Sequence, residues 1–189
     1  MKKQILLNIP FFLIALSVFG QNINPAPADK AVVYFTRTSS LGLAINFSYF
    51  DSTQLIGVFN GPKYIRYECE RGRHIFWARS ENKDFVEANI EAGKIYFIEA
   101  VPLMGAIKAG VDLQPVYPDD AKMMKKILKL MEKRSSESFS AEELQSETVR
   151  LQDAITRGMA KYIEEKNKGS YIPQLMKDMN YVPSVATTL

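Results

Sequence analysis

The residue types able to do acid–base or metal chemistry are few and lie close together. The 189-residue chain holds one histidine, one tryptophan and one cysteine. His74 and Trp77 fall in "RGRHIFWARS", and Cys69 lies five residues before the histidine. A general base at His74 would need a nucleophile to activate, and the G-x-S-x-G elbow of many hydrolases does not occur. A metal at His74 would need further ligands. Without a second histidine only carboxylates and Cys69 remain, and the usual zinc spacings are missing. The other reading is structural. Gly72 supplies the positive φ of a tight hairpin after "ERG", and His74 starts the next strand, where its ring packs and bonds a neighbouring backbone group. Gly72, His74 and, in the later "AGK", Gly93 are then turn residues, and no catalytic, cofactor or metal set is expected.

Carboxylates need separate attention, because glycoside hydrolysis requires only two acids. Glu68 and Glu70 share the outward face of one strand, and Glu87 and Glu91 that of another. Such residues ordinarily solvate a sheet. Glu99 shares parity with Ile95, Phe97 and Val101, so it is either a buried acid or the point where a strand leaves the core. The aromatic residues, abundant between Tyr34 and Phe97, are expected to fill the space between two sheets. Tyr64 and Trp77 are the candidates for a surface that stacks on a sugar or a partner chain.

The elements that position these residues follow from hydrophobic period. From Ala31 to Val116 short apolar runs alternate with turn residues: "AVVYFTR", "LAINFSYF", "QLIGVF", "KYIRYECE", "RHIFWAR", "DFVEANIE", "KIYFIEAV" and "AIKAGVDLQPV". The expected fold class is mainly β: an antiparallel β-sandwich of seven to eight short strands over residues 30–116. After Pro118 the period becomes 3.6. A helical extension, residues 117–189, is expected with two long helices. The first, over 118–134, starts at Pro118 and sets Lys122, Lys125, Lys126 and Lys129 opposite an apolar stripe. That stripe packs on the protein's own domain, pairs in a homodimer, or lies on a membrane surface with the lysines as contacts. The second opens with the capping box Ser140–Glu143 and ends at Gly169. "YIPQLMKDMNYV" is expected to add one short helical turn.

Residues 1–20 read as a secretory signal peptide: Lys2 and Lys3, then a fifteen-residue apolar run, then small residues before Gln21. Residues 21–29 read as a flexible leader. No cysteine stands near the cleavage site to carry a lipid anchor, so the protein is expected in the periplasm or outside the cell. Removing Lys2 and Lys3 from 24 basic residues leaves 22 against 21 acidic ones. That balance gives no general footprint for nucleic acid. Cys69 alone forms no internal disulfide, so the fold rests on its apolar core.

Three segments, "AVVYFTR", "FDSTQLIGVFNGPKYIRYECERGRHIF" and "IEAGKIYFIEA", carry a likeness to a known group. Through them residues 31–116 resemble an uncharacterised family of exported bacterial proteins catalogued as domain of unknown function 2846. The resemblance implies a compact β-sandwich similar in style to surface-layer "PEGA" modules, with no catalytic residues to carry over and a structural Gly72-x-His74 step. The expected function is therefore a non-catalytic cell-envelope binding or assembly module, with an envelope protein or glycan as partner. Its rivals are a glycan-acting hydrolase using strand carboxylates and a protein attached to a membrane surface through helix 118–134.

Overall fold

The computed structural model describes residues 23–105 and 109–183; the expected signal peptide lies outside the described residues. Eight strands occupy the first part of the chain: β1 (Ala31–Arg37), β2 (Phe47–Asp51), β3 (Gln54–Phe59), β4 (Lys63–Cys69), β5 (Gly72–Arg79), β6 (Lys83–Ile90), β7 (Ile95–Met104) and β8 (Ala109–Pro115). Helices α1 (Ala121–Lys133) and α2 (Ala141–Asn167) follow, then a two-residue strand β9 (Gln174–Leu175) and a single 3₁₀ turn over Lys177–Met179. One sheet runs β4-β1-β7-β8 and the other β3-β2-β5-β6-β9.

The fold is mainly β, as expected, but it is not purely antiparallel. β1 and β7 pair in parallel, Val32 beside Ile95 through Thr36 beside Glu99. β6 and β9 also pair in parallel. The chain leaves β1, builds the five intervening strands, and returns to the same sheet in the same direction, a connection long enough to permit parallel pairing. The ninth strand lies in the segment read as helical, where only the 3₁₀ turn matches the expected helical turn.

Strand parity sorts the apolar side chains into three layers. Between the sheets lie Val33 and Phe35 of β1, Phe47 and Tyr49 of β2, Phe76 and Ala78 of β5, and Tyr96 and Ile98 of β7. The alternate residues Val32, Tyr34, Ile95 and Phe97 face outward, where α1 covers them with Met124, Ile127 and Leu130. On the far side Phe50, Trp77 and Phe85 are covered by Leu151, Ala154 and Ile155 of α2. Both faces of the central strands are therefore buried, which is why β1 reads as an unbroken apolar run. Each large aliphatic side chain buried in these layers stabilises the fold by roughly 1.5–3 kcal/mol. Ile23, in the expected leader, is buried in the α1 layer.

Helix α1 begins at Ala121, three residues later than the sequence suggested, because Asp120 caps it by accepting the Met123 N–H at 2.9 Å. The capping box of α2 forms as expected: Ser140 Oγ accepts the Glu143 N–H, and the Glu143 carboxylate accepts the Ser140 N–H. Beyond its end Gly169 takes φ +69°. Edges are closed by side chains and loops. The β8 N–H groups of Ala109, Val111 and Leu113 donate to Glu81, Asn82 and Asp84 at 2.8, 2.7 and 2.6 Å, so the β5–β6 hairpin stitches the sheets together. Along β4, Glu137 donates its N–H to the Tyr64 carbonyl at 2.8 Å and Ser136 Oγ accepts from the Arg66 N–H. The two arrangements cover the outer edges of β8 and β4, which would otherwise invite aggregation.

Candidate functional site

His74 sits at the end of the sheets that carries the β2–β3, β4–β5 and β6–β7 turns. Gly72 and Gly93 have φ of +125° and +72° there, the backbone form that favours glycine. The β2–β5 pairing brings the last residue of β2, Asp51, close to the start of β5. His74 Nδ1 lies 2.7 Å from Asp51 Oδ2, and Nε2 lies 2.9 Å from the Glu70 carbonyl. Tyr67 donates its hydroxyl to the same Asp51 oxygen at 3.1 Å, and the imidazole stacks on Phe76 at 5.2 Å. Both ring nitrogens thus face acceptors, so the protonated ring is favoured. The bond to Asp51 raises the His74 pKa, and burial opposes it.

This pair has the composition of a base and its orienting carboxylate, but its bonds are already used inside the protein. A general base needs a free ring nitrogen aimed at a nucleophile, and Nε2 is held by Glu70. The nearby thiol offers no replacement. Burial, aided by the negative charge of Asp51, pushes Cys69 up to about 12, leaving it a neutral, packed side chain. Among the described residues no group of three or more histidine, cysteine or acidic side chains converges to hold a metal.

The acidic candidates separate. Glu68 pairs with Arg66, and Glu70 with Lys30. Glu91 lies 3.2 Å from Lys177. Glu99 is buried on the α1 side of β7: Thr36 Oγ1 donates to one oxygen at 2.6 Å, and the Thr38 N–H and Oγ1 donate to the other, each at 2.7 Å. Burial raises its pKa against these three bonds. Glu87 accepts from Tyr162 at 2.6 Å, Lys166 at 2.7 Å and Gln174 at 2.9 Å. The Lys166 ammonium and then the Tyr162 hydroxyl hold this carboxyl down to about 2, while burial and the carboxylate raise Tyr162 to about 12.

Neither aromatic nominated for surface contact is at the surface. Tyr64 is buried under the α1 layer and donates to the Arg134 carbonyl at 3.2 Å. Trp77 is fully buried beneath α2, stacked on Phe50 at 4.0 Å, with Nε1 donating to the Ser52 carbonyl at 2.8 Å. It points away from the inter-sheet core, and the helix that covers that face decides its burial. Lys122, Lys125, Lys126 and Lys129 are exposed as expected, while the apolar stripe opposite them is spent on the protein's own sheet.

A groove that the sequence did not reveal opens beside the His74 end. It measures about 600 Å³ and is walled by Ser52, Arg73, His74, Glu87, Lys166 and Met176 among others. It exists because β9 pairs with β6 through Glu87 and Ala88, bringing the chain after α2 back along the sheet. The only signal was the apolar pair Ile172 and Leu175 flanking a proline and a glutamine, too short to read as a strand. Compared with known proteins, the chain matches no family model and no curated protein.

Proposed function

We propose that the protein is a non-catalytic, exported β-sandwich that serves as a binding or assembly module of the cell envelope, holding a protein partner in the groove between β6, β9 and α2. The observation that carries this reading is the internal satisfaction of the reactive residues beside an open groove. His74 lines the groove together with Arg73 and Met176, but its two ring nitrogens are engaged by Asp51 and the Glu70 carbonyl, which strap the β4–β5 turn to β2. The apolar run before Gln21 supports the export in this reading. A protein segment fits better than a glycan, since Tyr64 and Trp77, the aromatics proposed to stack on sugars, are buried.

A photo-crosslinking residue placed at Met176 tests this in living cells, with Val149, exposed on the first half of α2, as the control. The expected outcome is a discrete envelope-protein adduct from position 176 and none from 149. No adduct at 176, or equal adducts at both positions, refutes the groove as the binding surface.

A further inference from the structure

We propose that the opposite end of the two sheets docks on an anionic phospholipid bilayer, with Leu41 and Leu43 entering the headgroup layer and a cationic cleft beside them taking lipid phosphates. This surface is separate from the groove: the loop over residues 38–46 precedes β2, whereas the groove residue Ser52 follows it. The inference therefore stands or falls independently of the partner groove.

Two independent features meet there. The first is an apolar loop held in place from beneath. Arg37 is fully buried, and its guanidinium donates to the carbonyls of Ile45, Leu41 and Gly42 at 2.7, 2.8 and 2.6 Å while lying 4.2 Å over the Phe47 ring. These bonds fix the loop backbone, and Gly42 takes φ +62° within it. Yet the leucines on either side of that glycine project outward, Leu41 50% and Leu43 57% exposed. Leu103 and Met104, where β7 runs on past Glu99 at the same end of its sheet, are exposed as well. A buried arginine organising a loop whose leucines remain in water suits a surface that will be covered.

The second feature is charge. A cleft of about 480 Å³ lies against the base of this loop, walled by Thr38, Ser39, Lys126, Lys129, Lys133 and Arg134 among others. Along α1, Lys122, Lys125, Lys126, Lys129 and Lys133 fall within an arc of about 100° at the usual helical rotation per residue. None of them, nor Arg134, makes an ion pair with its side chain among the described residues. Of the acids around this face, Glu132 is exposed on α1 next to Lys133, Glu137 pairs with Lys63, and Glu99 is buried with both oxygens engaged by Thr36 and Thr38.

A basic amphipathic helix ordinarily binds bilayers by burying its apolar face among the lipids. Here that face is occupied by β1 and β7, so the helix contributes only charge and the loop contributes the apolar part. Durable attachment needs both kinds of contact. A polyanionic polymer would use the lysines and leave the leucines without a purpose, which favours the bilayer.

The test is co-sedimentation of the chain from Gln21 onward, whose three apolar layers lie within residues 23–183, with vesicles of phosphatidylcholine alone or mixed with phosphatidylglycerol. Binding is expected to the mixed vesicles only and to weaken with salt. Each lysine near an anionic surface is worth roughly fivefold, so K126E/K129E/K133E is expected to lower affinity by at least about 100-fold. L41S/L43S is expected to lower it by about tenfold. All five positions are exposed, and unchanged circular dichroism confirms folding. Equal binding to both vesicles, no binding, or insensitivity to the lysine variant overturns the proposal. Binding to soluble polyphosphate that matches vesicle binding and ignores L41S/L43S also overturns it, in favour of a polyanion site.

Discussion

Replacing Gly158 with alanine is expected to destabilise the protein although alanine is the better helix former. Gly158 lies in the middle of α2, where the exchange ordinarily gains about 1 kcal/mol. A Cβ at this position would stand 2.7 and 2.8 Å from Cζ2 and Cζ3 of Trp77, and nearer still to Cη2. Carbon atoms pack best at about 3.5–4.0 Å, so the ring or the helix must retreat by roughly 1 Å. The ring is confined: Phe50 stacks on it at 4.0 Å and Ser52 holds its Nε1 at 2.8 Å. The helix is confined by Leu151 and Ile155 in the same layer. Overpacking of this kind costs about 1–3 kcal/mol and sometimes more. Contacts this short against a confined ring fall in the upper part of that range, about 2–3 kcal/mol, so against the gain in propensity the net loss is about 1–2 kcal/mol, or about 2–8 °C in Tm for a chain of this size. Urea unfolding followed by far-UV circular dichroism measures it. The decisive comparison uses W77L, which removes the ring. In that background G158A should become neutral or stabilising, because the methyl group enters space the indole has left. A G158A protein as stable as the parent, or a loss of the same size with and without the indole, refutes the argument that Trp77 selects glycine at this position.

Two pH experiments test the remaining ion pairs. His74 has a raised pKa, so its contribution is fully present below the unfolded value of 6.5 and is lost as pH rises through the folded one. The stability gap between the parent and H74Q should therefore be widest in mild acid and narrow as pH rises above 6.5; a gap that is constant or grows with pH contradicts the His74–Asp51 strap. Glu87 is depressed from 4.5 to about 2, so its contribution is present above 4.5 and lost as pH falls through about 2. E87Q should lose about 1 kcal/mol at neutral pH, since Glu87 is half-buried while its Lys166 partner is nearly half exposed and screened by solvent. The difference should vanish near pH 2, and thermal scans across this range that keep it unchanged would separate Glu87 from the α2–β9 latch.

The sequence disclosed whatever depends on neighbours a few residues away. The alternation in β4 and β6, the capping box at Ser140 and the turn glycines at 72 and 93 are local, and all are present. What it withheld depends on which strand lies beside which. Glu99 stood in an apolar row, and parity correctly placed it on the same face as Phe97, but its fate rested on β1. Only parallel pairing sets Thr36 beside it, and only then do Thr36 and Thr38 supply the three donors that let a carboxylate be buried. An antiparallel partner of β1 is instead β4, which puts Tyr64 opposite Thr36. Trp77 shows the same limit from the other side. Its neighbours in sequence, Ile75 and Phe76, describe a strand apolar on both faces without saying what lies over each. The covering residue is Gly158, a glycine inside a helix, and its reason for being there is an indole far back along the chain. Alternation thus fixes the face on which a side chain lies, while its exposure is fixed by the layer stacked on that face. The surfaces proposed for binding accordingly lie at the two ends of the sheets, where each helix forms one wall and leaves the rest open: the groove beside His74 against α2, and the leucine loop beside the α1 lysines.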